Sequence, residues 1–251
     1  MNVNLINITP EAEEHIVEVA RVSSSRKNKR DDYEGLIRYL IKHKHWSPFE
    51  HAYATFEIET SKAIGIQLIR HRSFTFQEFS QRYQFVQRIS NDMFEPVELR
   101  QQAKDNRQSS TELFTQSIQT CGGKINANEI VEEALRATEA AYVELVNAGV
   151  ARECARMVLP LCTKTKIHMT GSIRSWIHFI QLRDDEHAQK EIRDIAKLIR
   201  KEMANHLPHT FKTIQNESND ISGRVSKEHP SPYPSWTSTQ TNSGGEFCNN
   251  D

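Results

Sequence analysis

The chain has 251 residues, enough for one large domain, and its 32 basic and 33 acidic residues leave a formal net charge of −1. Such a balance gives no global field to gather nucleic acid or membrane lipid, so any anion site has to be local. The four cysteines form no CxxC pair or regular framework, so neither a metal site nor a disulfide scaffold is predicted. A reducing, cytoplasmic setting fits this pattern, and no segment is long and apolar enough to span a bilayer.

The first part of the chain is predicted to contain a helix, a strand and a second helix. Apolar residues recur at helical spacing from Asp31 to His43, which indicates an amphipathic helix. The stretch from Ala52 to Ile58 alternates apolar and polar residues, as a half-buried strand does. Ser61 can cap the next segment, whose apolar stripe predicts a helix that leads into the basic sequence Arg70–Arg72.

The middle of the chain is polar and then strongly helical. Residues from about Arg100 to Asn128 are expected to form loops with some helix. Apolar periodicity from Ile130 to Val146 predicts a long helix, which Gly149 can close in the left-handed conformation that glycine tolerates.

Two further helices are predicted in the last part, around Ile173–Leu182 and Ala188–Leu207, and Pro208 should stop the second. Residues 217–251 are rich in Ser, Asn, Thr, Pro and Gly, with too few apolar residues to offset their ordering entropy. The predicted organisation is therefore a catalytic domain over residues 1–216 and a mobile polar tail over residues 217–251.

The densest chemical signal is the segment QLIRHRSFTFQEFSQRY, residues 67–83. It sets arginines among apolar residues, where a guanidinium normally needs an anionic partner, and the planar donor fork of arginine suits phosphate. Gln67 lies one turn before Arg70 and can bond a ligand on the same side. Alternatively, Glu78 and Arg82 form a structural i,i+4 pair and the arginines form a solvated face. The residues alone do not decide between these interpretations.

Five blocks of this sequence together resemble the flavin-dependent thymidylate synthases. Arg70-His71-Arg72, seven residues and then Ser80 reproduce the RHR-x7-S signature of that family. The other blocks run in family order from about Ala20 to Glu191: ARVS at residues 20–23, HWSPFEH at residues 45–51, RECARMVLP at residues 152–160, and a helix of the form R-x3-[HN]-F-x3-R-x3-HA from Arg174 through His187.

The resemblance implies both a fold and a reaction. The implied fold is α+β, with a curved, largely antiparallel sheet flanked by helices and with long helices in the C-terminal half. A homotetramer with active sites between subunits is also implied. The implied reaction is the reductive methylation of dUMP to dTMP in de novo dTMP biosynthesis, with methylene-tetrahydrofolate as the one-carbon donor and NADPH-reduced FAD as the source of the hydride.

The resemblance also assigns roles to individual positions. Arg183 is implied to favour ionisation of the uracil N3 position, which is reasonable because a fixed cation stabilises a developing anion. The positions implied to bind FAD are Ser47, Arg70, His71, Arg72, Glu78, Ser172, Arg174 and His178. The positions implied to bind dUMP are Gln67, Arg70, Glu78, Ser80, Arg82, Arg156 and Arg183.

Some positions depart from the family pattern. Gln77 and Ser172 stand where the family often has asparagine, which bears on flavin affinity and pocket shape. No protein nucleophile is expected, because Ser80 has no base in a triad-like order and Cys162 is predicted to be a buried, inert thiol.

Two alternative functions remain open at this stage. One is a flavin-dependent enzyme that acts on another uracil compound, such as a uracil in RNA, although the near-zero net charge speaks against a long polyanion. The other is a non-catalytic nucleotide-binding homologue that keeps Arg70, Arg82 and Arg156 but binds no flavin.

Overall fold

A four-stranded antiparallel sheet forms the centre of the structure, a computed structural model that describes residues 1–22, 33–85, 92–104 and 106–214. These residues belong to one compact unit, Met1–Ile214. The predicted tail, and Ser23 of the ARVS block, lie outside the described residues. The strands of the central sheet are β1 (Asn2–Ile8), β2 (Tyr53–Ser61), β3 (Thr75–Glu78) and, last in the chain, β8 (Lys164–Ser172), and their order across the sheet is β1-β2-β8-β3.

Strand β2 confirms the predicted alternation, although it runs from Tyr53 to Ser61 and so is longer than predicted. Ala54, Phe56 and Ile58 are at most 2% exposed and face the core. The opposite face carries polar side chains such as Glu57, whose carboxylate lies 3.1 Å from His168 Nε2 on β8. The two strands pair over their whole length, because this alternation fits a sheet with one covered face.

The helices supply the layer that covers the apolar face of the sheet. The apolar stripes of most helices form one large core with the inward side chains of β2 and β8, while Tyr142 and Ala155 belong to a second, smaller core. The helices are α1 (Ala12–Arg21), α2 (Tyr33–Lys42), α3 (Lys62–Leu68), α4 (Ala127–Asn147), α5 (Arg152–Ala155), α6 (Ile173–Arg183) and α7 (Lys190–His206), with 3-10 turns at Ser47–Glu50 and Arg156–Val158. This mixed arrangement confirms the predicted α+β fold.

Several predicted helix boundaries are confirmed. Ser61 caps α3, since its side chain accepts a hydrogen bond from the Ile64 N–H at 3.4 Å. Gly149 follows α4 with a φ of 86°, a left-handed conformation. Pro208 ends α7, as predicted, but residues 208–214 then form a further helical segment. Proline begins a helix readily because its first position needs no N–H donor.

The expectation of loops with some helix over residues 100–128 was wrong, since almost all of this stretch consists of strands and turns. The segment forms two small antiparallel hairpins, and α4 begins only at Ala127. Their strands are short and largely exposed, so the sequence shows no buried alternation that would have revealed them. The strands are β4 (Arg100–Gln102), β5 (Ser110–Leu113), β6 (Ser117–Thr120) and β7 (Gly123–Asn126).

Among the helices that the structure describes, none is both long and apolar enough to cross a membrane.

Helix α6 is fixed against the sheet by a buried tryptophan. Trp176 is fully buried and donates its indole N–H to the Ala54 carbonyl at 3.1 Å. Its ring also packs against Phe56 and Phe74, with centroids 5.0 and 4.6 Å away. The polar side chains of α6 are therefore carried by an element whose position is set by the core.

Candidate active site

Helix α6 carries three of the predicted site residues and begins at a fourth. Arg174 and His178 are one turn apart, as expected from the sequence, and Arg183 is the last residue of the helix. Ser172 is its N-cap, and its hydroxyl accepts a hydrogen bond from the Ser175 N–H at 3.2 Å. Such a cap satisfies one of the backbone donors that a helix start leaves unpaired.

A cavity of about 320 Å³ lies against the first half of α6. This volume is at the lower end of the range of about 300–1,000 Å³ that is common for ligand pockets. Ser47, which begins a 3-10 turn beside the cavity-lining Trp46, is exposed. The cavity is lined by Trp46, Glu50, Ser73, Arg174, Ser175, Ile177, His178 and Gln181.

Glu50 joins two of the predicted residues at one end of this cavity. Its Oε2 accepts a hydrogen bond from the Ser172 hydroxyl at 2.8 Å, and its Oε1 accepts one from Arg174 Nη1 at 2.7 Å. Glu50 lies in the HWSPFEH block, but sequence reasoning gave it no role. Its place between a hydroxyl and a guanidinium was not visible before the fold brought β8 and the 3-10 turn together.

His71 and Arg183 are in direct contact at the other end of α6. Arg183 donates its Nε–H to His71 Nε2 at 3.0 Å, so the imidazole is the acceptor and is neutral at that nitrogen. The His71 ring also packs edge-on against Phe179, with centroids 4.9 Å apart. Burial, together with the charges of Arg183 and His178, lowers the pKa of His71 from 6.5 to about 4.

The turn that follows α3 carries the other two residues of the RHR signature. Arg70 and Arg72 are exposed there. Within one chain they are not enclosed by apolar residues, so the expectation that such an arginine needs an anionic partner does not apply to them. In the described part of the chain, their guanidinium groups make no hydrogen bond or ion pair, and neither does that of Arg156. These three cations are therefore available to an anionic ligand.

Glu78 and Arg82 do not pair with each other, so the i,i+4 interpretation was wrong. Glu78 Oε1 accepts hydrogen bonds from Lys62 Nζ and from the Thr165 hydroxyl, both at 2.8 Å. Arg82 Nη2 instead donates to Glu153 Oε2 at 3.1 Å. Residue 78 is on β3, and the chain leaves the sheet immediately after it, which directs residue 82 toward α5.

The remaining predicted nucleotide contacts lie in separate places. Gln67 donates to Gln189 Oε1 at 2.7 Å, just before α7. The backbone carbonyl of Ser80 accepts hydrogen bonds in the turn that leads to Arg82. Arg156 is in the 3-10 turn after α5. Of the predicted flavin contacts, the structure thus places Ser172, Arg174, His178 and His71 on or against α6, whereas Glu78 is bonded to Lys62 and Thr165. Arg82 and Arg156 lie around α5.

Comparison with known proteins places this arrangement in a family. Residues 4–209 match the family model described as thymidylate synthase complementing protein. The chain belongs to that family. The probable flavin-dependent thymidylate synthase of Paramecium bursaria Chlorella virus 1 is 37% identical over 222 residues, which are 85% of this chain and 99% of that relative. The flavin-dependent thymidylate synthase of Synechocystis is 39% identical over 196 residues, 78% of this chain and 86% of that relative.

A solved structure agrees with this family membership. The crystal structure of a UMP/dUMP methylase, PolB from Streptomyces cacaoi bound with 5-Br dUMP, superposes with a TM-score of 0.67 and 29% sequence identity. The match covers 86% of this chain and 94% of that structure. The resemblance suggested by the five sequence blocks is thereby confirmed at the level of the family and of the fold.

The residues around the cavity fit a flavin dinucleotide chemically. Arg174 offers a guanidinium suited to phosphate, and the His178 imidazole lies on the same wall. Trp46 and Ile177 supply apolar surface against which a ring system can pack. Ser172 fits less simply, since its hydroxyl is already bonded to Glu50.

Proposed function

We propose that this chain converts dUMP to dTMP, taking the methylene group from methylene-tetrahydrofolate and the hydride from NADPH by way of FAD. The balanced reaction consumes dUMP, methylene-tetrahydrofolate, NADPH and a proton, and it yields dTMP, tetrahydrofolate and NADP⁺. Family membership supports this reaction, and the arrangement of residues around α6 supports the roles proposed below. We expect the reaction to take place in the cytoplasm, which fits the absence of a disulfide-like cysteine framework.

The contact between Arg183 and His71 is the observation that carries the proposal. A neutral imidazole holds the guanidinium through Nε, which leaves the two terminal nitrogens to face a ligand. A cation fixed beside uracil N3 stabilises the anion that makes C5 nucleophilic, without reorganising solvent during the reaction. Burial lowers the pKa of Arg183. A guanidinium nevertheless keeps its charge in proteins at neutral pH, so the cation persists.

At the cofactor end, we assign the cavity along α6 to FAD. Bound flavin supplies the redox chemistry, and the protein's task is to bind and orient. Arg174 and His178 would contact it from the helix, with Ser47 and the exposed arginines of the RHR turn approaching from the outside.

At the nucleotide end, we assign Arg82 and Arg156 to the phosphate of dUMP, with Gln67 and Ser80 near its base and sugar. Glu78 would act there through its ordered carboxylate, held by Lys62. The position of the two arginines around α5, away from α6, is consistent with a site completed by more than one subunit.

A homotetramer with shared active sites is part of this proposal. Large apolar side chains are exposed beside the proposed phosphate contacts, among them Tyr83 at 72% and Met157 at 80%. Exposed apolar groups that cluster beside functional residues are typical of interfaces. Light scattering on the purified protein would test the assembly state.

The test of the reaction is anaerobic conversion of dUMP with FAD, NADPH and methylene-tetrahydrofolate, with each component omitted in turn. We expect dTMP only when all of them are present. Arg183→Ala should keep its flavin absorbance and lose turnover, because the contact that this residue makes within the chain is to His71 rather than in the cavity. Arg38→Ala, which removes an exposed arginine paired with Glu34 on α2, is the control and should keep full activity. Normal turnover in Arg183→Ala would refute the role given to Arg183.

A second candidate substrate is UMP, because the matching solved structure is that of a UMP/dUMP methylase. The same assay with UMP in place of dUMP distinguishes the two. If UMP is methylated as efficiently as dUMP, the chain acts on ribonucleotides as well.

A further inference from the structure

A chain of hydrogen bonds connects the HWSPFEH block to the RHR turn through the start of α6. It begins at the Glu50 carboxylate, which accepts a hydrogen bond from the Ser172 hydroxyl at 2.8 Å. Ser172 in turn accepts from the Ser175 N–H at 3.2 Å, and the Ser175 hydroxyl donates to the Ser73 carbonyl at 3.2 Å. Ser172 and Ser175 are 3% and 8% exposed, so water competes little for these bonds.

The same carboxylate also determines where Arg174 points. Arg174 Nη1 donates to Glu50 Oε1 at 2.7 Å, a short bond typical of a charged pair. The Arg174 side chain is 50% exposed and that of Glu50 is 43% exposed, so this pair adds little to the stability of the fold. Its effect is on conformation, because a long arginine side chain without a partner samples many rotamers.

Ser172 has no hydroxyl hydrogen left for a ligand, since its hydrogen is donated to Glu50. This serine stands where the family often has asparagine, and its expected role was to bind the cofactor. In this chain it holds the carboxylate that holds Arg174. Ser172 is therefore connected to the cavity through Glu50 and Arg174.

We propose that Glu50 is a positioning residue that fixes the Arg174 guanidinium on the wall of the α6 cavity and thereby raises the affinity of the cavity for the flavin. This inference rests on the proposed function. An electrostatic argument predicts the opposite effect of Glu50, because a carboxylate beside a phosphate would by itself weaken anion binding. The two effects have opposite signs, and an affinity measurement therefore separates them.

The experiment is a double-mutant cycle on FAD affinity, measured by fluorescence titration of wild type, Glu50→Gln, Arg174→Ala and the double variant. Glu50→Gln keeps the shape of the side chain but removes its charge. We expect it to weaken FAD binding by about threefold to tenfold when Arg174 is present, the range for losing one pre-ordered side chain. In the Arg174→Ala background, the same change should alter the affinity by less than about twofold.

Glu34→Gln is the matched control, since Glu34 also bonds an arginine one turn away on an exposed helix surface, at 2.8 Å. It should leave FAD affinity unchanged. Glu50→Asp keeps the charge but is too short to reach both partners, and it should behave like Glu50→Gln. Circular dichroism melts of all variants would check that they are folded.

Two results would overturn the inference: equal losses in both backgrounds, which would mean that Glu50 acts independently of Arg174, or tighter FAD binding in Glu50→Gln. Failure of the proposed FAD assignment looks different, because wild type itself would then bind no flavin. In that case, crystal structures of unliganded wild type and Glu50→Gln would still decide the positioning role. We expect one Arg174 rotamer in wild type and several in the variant, and a single shared rotamer would refute the role.

Discussion

The neutral state of His71 makes the stability of the fold depend on pH in a predictable direction. Its pKa lies at about 4 in the folded chain, against an ordinary value of 6.5. Between these two values the unfolded chain binds more protons than the folded one, so stability falls as the pH falls from about 6.5 toward 4. Above pH 6.5 the contribution is constant, because the imidazole is then neutral in both states.

The size of this effect follows from the two pKa values. One pKa unit corresponds to about 1.4 kcal/mol, so full titration of His71 costs about 3 kcal/mol. At pH 5 the loss relative to pH 7.5 would be about 2 kcal/mol, and about 1 kcal/mol once partial solvent access to the ring is allowed for. Protonation would also remove the acceptor that holds Arg183. In the folded chain this begins only as the pH approaches about 4, so activity should fall at a lower pH than stability does.

Urea denaturation at pH 7.5 and pH 5.0 measures this quantity. The comparison is with His71→Asn, in which an amide oxygen can still accept from Arg183 but cannot titrate. The variant should lose about 1–2 kcal/mol less than wild type between the two pH values, while the contributions of the other histidines cancel. If both proteins lose the same free energy of unfolding, His71 is not held neutral by its surroundings.

Three further predictions concern packing, capping and the phosphate contacts. Gly171→Ala should destabilise the fold by about 1–3 kcal/mol, since its Cβ would lie 2.4 Å from the Phe74 ring. In a thermal melt, adding Phe74→Leu should recover part of this loss, and no recovery would contradict the clash. Ser172→Ala should cost about 1 kcal/mol in chemical denaturation through loss of the α6 cap, and an unchanged midpoint would count against that cap. Glu153→Ala should tighten dUMP binding by up to about fivefold in calorimetry, because this carboxylate competes for Arg82; weaker binding would mean that Glu153 orders the arginine instead.

Those features of the fold that depend on periodicity over a long segment were predictable. The β2 alternation and the stripes of α6 and α7 appear in the structure, because each buries one face against a common core. Helix α4 also forms as predicted, but its stripe is only partly buried, and Tyr142 belongs to a second, smaller core. The hairpins between Arg100 and Asn126 were not predictable, since their strands are three or four residues long and mostly exposed. Such segments are held together by hydrogen bonds between backbone groups, and they lack the alternation of apolar and polar side chains that would reveal a strand.

The candidate site, too, was predictable only in part. Sequence spacing correctly placed Arg174 and His178 on one helix, because both lie on the same element. It could not reveal the partners that come from distant segments, such as Glu50 for Arg174 or His71 for Arg183, which are 124 and 112 residues apart in the chain. Such pairs exist only after β2 and β8 align, so no local pattern encodes them.

Because Arg174 and Arg183 lie on one continuous helix, the distance between them is fixed. They are nine positions apart, and at 1.5 Å per residue their α-carbons lie about 13–14 Å apart along the axis. The helix also fixes the directions in which the two side chains point, because successive residues are rotated by about 100° around the axis. A single residue inserted between His178 and Arg183 would lengthen the distance between Arg174 and Arg183 by only about 1.5 Å, but it would rotate the Arg183 guanidinium a quarter turn or more away from His71. An insertion at this point would therefore break the contact between Arg183 and His71 although every side chain of the site is retained.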